Sequence, residues 1–74
     1  MNANICGKNV RKRRTELGLA QVSIAAALEV DFQIVMAQSD ISEIERQVRG
    51  VKDFELRALA SILETSLDDL VSGN

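Results

Sequence analysis

Seventy-four residues, 46% hydrophobic and 27% charged, with no proline and four glycines, make one helical domain over 1–74 with its core at about 5–71, and leave no room for a catalytic lobe. Histidine is absent and Cys6 is the lone cysteine, which removes histidine acid–base chemistry, a His/Cys zinc site and an intrachain disulfide. The net charge of −2 is unevenly spread: residues 1–28 carry Lys8, Arg11, Lys12, Arg13 and Arg14 against Glu16 alone, and the remainder carries four cations against ten acids.

Hydrophobic spacing divides the chain into five helices. The first is expected over 4–17 and ends at Gly18, whose missing Cβ suits the left-handed position after a helix. Gly18, Leu19 and Ala20 form a short turn. The second helix covers 21–28, with Ile24, Ala25 and Leu28 as its inward stripe. Two short helices across a tight glycine turn suggest a helical hairpin or the start of a helix-turn-helix unit. In 29–37, Val30, Phe32, Ile34 and Met36 alternate with polar positions except at Val35, which is an extended period. An otherwise helical chain offers it no sheet, so three roles stay open: it covers the core, lengthens the second helix, or pairs with a second copy.

The third helix is expected over 38–48, with Ile41, Ile44 and Val48 at helical spacing. The fourth opens at Asp53 as its N-cap and sets Leu56, Leu59, Ala60 and Leu63 on one face. Ser66 then caps a short fifth helix with Asp68 and Asp69 in its first turn, and Gly73 and Asn74 fray. The fold class is therefore all-α, a compact five-helix bundle with an extended segment between helices two and three.

Two charges interrupt the apolar stripes. Val10, Arg14 and Leu17 share one face of the first helix, and Ile41, Ile44, Glu45 and Val48 share one face of the third. A lone buried charge costs several kcal/mol, so opposite charges on facing helices are expected to pair, Arg14 with Glu45. The pair would set the angle of the third helix. The alternative is that both tips run out along the surface to water.

One ordered set of residues carries a resemblance. The stretch 10–21 (VRKRRTELGLAQ), then Ile24 and Ala25, the hexapeptide 41–46 (ISEIER), Leu59 and Ala60, and 66–70 (SLDDL) resemble the phage repressor/Cro (XRE-like) helix-turn-helix domain over about 7–71. The resemblance implies a five-helix repressor-like bundle whose arginine–glutamate pair falls on Arg14 and Glu45. It also implies that helices two and three form the DNA-reading pair, with helix three in the major groove. Gln38, Ser39, Asp40 and Glu43 would then face base edges, where Gln suits adenine and Glu accepts from cytosine. Gln21 at the start of helix two, Arg11, Arg46, Arg49 and Lys52 would hold phosphates. The chain departs from the family's pattern in three places. About nine residues precede helix three instead of a few, Ala20 replaces the usual Ser or Thr cap, and Gln47 stands where Gly is usual.

These features together imply a sequence-specific regulator of transcription, a repressor acting as a homodimer on a two-fold-related operator. The charge gradient agrees, since a basic face can meet phosphate while the opposite face stays acidic. The alternative is an interaction module of the same fold, antitoxin-like or an adaptor, favoured by the acidic pI of about 5.0, the carboxylates on helix three and the apolar run 32–36. Catalysis is not expected: neither Glu43 with Glu45 nor Asp68 with Asp69 converges on one point, and Gly18 and Gly50 stand alone rather than in a phosphate loop. No cofactor or metal is expected. The opening residues lack the order of a secretory signal and no apolar run approaches a membrane span, so a reducing cytoplasm is the expected setting, with Cys6 a packing residue.

Overall fold

A computed structural model describes residues 6–71. They form α1 (Gly7–Glu16), α2 (Gln21–Phe32), α3 (Gln38–Glu45), α4 (Asp53–Ile62) and α5 (Leu67–Leu70), with no strand among the described residues. Side chains from every helix meet in one core: Cys6, Val10, Ile24, Leu28, Met36, Ile41, Ile44, Leu59, Leu63 and Leu70 are all buried. α3 packs on α1 and α2, α2 also packs on α4, and α5 closes against α1 and α4. Burial pushes the Cys6 thiol pKa up, which suits a packing role.

Helix ends differ from the expected ones for identifiable reasons. α1 ends at Glu16 with Leu17 as its C-cap, and Gly18 takes φ +71° as expected. α2 runs on past Leu28 to Phe32 because 29–32 holds no Gly or Pro to stop it. Gln33 stops it instead, at φ 58°, with its N–H donating to Glu29 O and that of Ile34 to Leu28 O. The segment 29–37 thus divides between two of its three open roles. Its first part lengthens α2, and its last part covers the core through buried Met36 and half-buried Ile34. About nine linking residues become five, 33–37.

α3 ends at Glu45 rather than 48. Gln47 turns left-handed at φ 63°, so Val48 leaves the inward stripe and is 67% exposed. α4 begins one residue earlier than expected: Lys52, not Asp53, is the N-cap, Asp53 is the first helical residue, and Glu55 Oε1 accepts the Lys52 N–H at 3.0 Å. Ser66 caps α5 as expected, its Oγ accepting the Asp69 N–H at 3.0 Å. The expected start of the first helix at Asn4 and the fraying at Gly73 and Asn74 lie outside the described residues. Among those described, no helix is long and apolar enough to cross a membrane.

Candidate functional site

α1, α2 and α3 meet at a polar junction inside the apolar packing. Arg14 and Glu45 pair as their stripes require: Nε donates to Oε2 at 2.6 Å and Nη2 to Oε1 at 3.0 Å. The third arm of the guanidinium, Nη1, donates to Leu19 O at 2.9 Å, tying in the turn before α2. Only 4% of the Glu45 side chain is exposed, so the pair is a desolvated two-bond fork rather than a surface contact. Hydrogen bonding to Glu45 raises the Arg14 pKa.

The junction continues outward through two amides. Gln21 Nε2 donates to Glu45 Oε1 at 3.1 Å, and Gln38 Nε2 donates to Gln21 Oε1 at 3.3 Å. A carboxylate only accepts, so Glu45 fixes the direction of the whole chain of bonds. Gln21 must turn its NH2 inward and its carbonyl toward Gln38. Gln38 then keeps its own Oε1 and one N–H for the solvent side, at the exposed first turn of α3. Gln21, expected as a phosphate ligand, is engaged at both ends of its amide. The relay has no signature in the sequence.

The other expected site residues divide into two groups. Ser39 is exposed beside Gln38, and Glu43 is half-exposed one turn on. Asp40 faces inward on itself: its Oδ2 accepts the Ala37 N–H at 2.9 Å and caps α3, while Oδ1 lies 3.7 Å from Arg49 Nε. Arg49, expected as a phosphate clamp, is bonded within the chain. Its Nη1 and Nη2 donate to Glu55 Oε1 and Oε2 at 3.2 and 3.1 Å, and Nη1 also reaches Gly50 O. Glu55 is 5% exposed, so this second fork locks the loop between α3 and α4. Burial alone would raise the Glu55 pKa, but bonds from Arg49 and the Lys52 N–H outweigh it and hold the carboxyl below its usual range. Arg46 and Lys52 remain at the surface, with Lys52 Nζ 6.0 Å from the Phe54 ring centroid.

Glu55 is a site residue that the sequence expectations omit, although its signal is present. It precedes Ala58 and Leu59 by three and four positions, so it is a charge in an apolar stripe, like Arg14 and Glu45. On α1, Lys8, Arg11 and Lys12 are exposed and, with Thr15 and Glu16, line a shallow depression that reaches Glu45 and Gln47 at the end of α3. A larger open groove of about 860 Å³ lies between α1 and the α4–α5 end. Arg13 crosses it to bond Leu63 O and Glu64 O at 2.8 and 3.2 Å, which makes it a strut. Among the described residues, no cluster of three His, Cys, Asp or Glu side chains is arranged to hold a metal ion. Family models, curated proteins and solved structures yield no match to this chain.

Proposed function

We propose that this protein reads double-stranded DNA through α3 and regulates transcription, most simply as a repressor that occludes a promoter. The observation that carries this reading is the oriented chain Arg14–Glu45–Gln21–Gln38, which leaves Gln38 with one acceptor and one donor facing out. That pair of groups is complementary to adenine, whose N6–H donates and whose N7 accepts in the major groove. Ser39 and Glu43 supply further hydroxyl and carboxylate groups on the same helix. Exposed Lys8, Arg11 and Lys12 beside the end of α3 give phosphate-binding charge, joined by Lys52. The likeness of the sequence to repressor helix-turn-helix domains assigns α2 and α3 the same parts.

In this reading the protein acts as a homodimer, which its size allows. The molecule spans 30 Å along its longest axis, and successive major-groove faces lie about 34 Å apart. One copy therefore reads one half-site, and two-fold operators need two copies. The working compartment is the cytoplasm, where DNA is reached and the Cys6 thiol stays reduced. Selection of bound duplexes from a random pool tests the proposal: it should return paired half-sites, centres about 34 Å or a multiple apart, each holding an adenine. A pool that stays random after repeated selection defeats it.

A second reading, an interaction module, draws on α2 itself. Val22, Ala26 and Val30 lie on one outward face at four-residue spacing, Val22 and Val30 are 54% and 79% exposed, and Val35 beyond them is 82% exposed. Binding that survives high salt and ignores DNA would favour it.

A further inference from the structure

We infer that Arg46, the C-cap of α3, is a guanine-reading residue and not a phosphate clamp. This rests on the DNA-reading role of α3 and extends it. Ile41, Ile44 and Glu45 are the buried residues of α3. At 100° per residue, Ser39, Glu43 and Arg46 fall on the opposite side, with Ser42 at its edge. Arg46 thus belongs to the outward stripe that would meet base edges, not to its flank.

Its side chain is also held. Long side chains on a helix lean toward its N-terminus and cover the preceding turn. Arg46 does so, its Nε donating to Ser42 Oγ at 3.3 Å. That bond draws the guanidinium head back from the end of α3 to the level of its middle turn. It engages Nε only, and Nη1 and Nη2 make no bond to another described residue. A planar fork with one nitrogen anchored and two free matches guanine O6 and N7. Glu43, one turn back on the same stripe, is placed to accept from N4 of the paired or neighbouring cytosine. Arg49 cannot substitute, since both its terminal nitrogens are bonded to Glu55. Lys52, beyond the helix and exposed, keeps the point-charge role that phosphate requires.

Arg46→Lys separates the two roles, because it keeps the charge and removes the fork. The random-duplex selection is run on the unaltered protein and on this variant, followed by affinities for the selected duplex and for its guanine-substituted relative. The unaltered protein should prefer guanine at one position of each half-site by about ten- to a hundredfold. Arg46→Lys should lose that preference and keep the adenine position. Ser42→Ala, which frees Nε, should weaken the same preference and leave the others. If Arg46→Lys keeps the guanine, or weakens every duplex alike, the assignment is wrong. If the unaltered protein selects no sequence, α3 is not a reader at all and the assignment falls with it; that case is recognised without any variant.

Discussion

At the scale of single residues, three charged side chains define the molecule. Arg14 and Glu45 occupy inward positions and meet in a fork across α1 and α3. Removing the guanidinium strands a carboxylate that has 4% of its surface exposed. Arg14→Ala should therefore lower unfolding free energy by about 3–5 kcal/mol, read from urea denaturation. A loss under about 0.5 kcal/mol would mean that the pair is open to water. This pair was legible in the sequence because a charge that breaks an apolar period must either find an opposite charge or reach water. Glu55, the third, obeys the same rule. It is harder to see because the stripe of α4 reads equally well from Leu56, one position later. The relay from Glu45 through Gln21 to Gln38 was not legible. It depends on how closely α2 and α3 approach across residues 33–37, which periodicity within either helix does not encode.

Backbone conformation at Gln47 belongs to the same scale. It holds φ 63° at the end of α3, a region that favours glycine. Gln47→Gly should relieve local strain, offset in part by the looser unfolded chain, for a net gain of up to about 1 kcal/mol. A destabilised variant would show that the Gln47 side chain stabilises more than its backbone strain costs.

At the scale of elements, the existence of five helices was legible and their ends were not. Stripes such as Leu59, Ala60 and Leu63 announce a helix. Termination at Gly18 was also visible. The other stops, at Gln33, Gln47 and Glu64, are left-handed residues other than glycine, and their composition carries no stop signal. Hence periodicity alone ends α2 four residues short and carries α3 three residues too far.

The Arg49–Glu55 fork ties the α3–α4 loop to the body and gives a pH test. The folded state holds the Glu55 carboxyl below its ordinary pKa of about 4.3. Its contribution is therefore complete above that value and is lost as pH falls through the lowered one. Glu55→Gln should cost about 1.5–3 kcal/mol at neutral pH. The variant should also lose less stability than the unaltered protein on acidification below about 4.3. Parallel acid limbs for the two proteins would rule out the fork as a source of acid sensitivity.

At the scale of the whole molecule, charge and shape agree with one another. The basic residues of α1 stand next to the end of α3, while Glu29, Asp31, Asp53, Glu64, Asp68 and Asp69 are exposed on other elements. A net charge of −2 thus includes a local cluster of exposed cations on α1, with Glu16 among them, and attraction of that cluster to a polyanion would help orient the molecule before contact. The exposed apolar face of α2 remains the feature that the DNA-reading account uses least.

The measurement that bears most directly on that account is duplex affinity against salt, made with the intact protein between about 50 and 200 mM monovalent salt. With Lys8, Arg11, Lys12 and Lys52 on phosphates, log K should fall linearly with log salt, at a slope of about −3.6 per protomer. Failure to bind any duplex at the lowest salt, or affinity that does not change with salt, would contradict it.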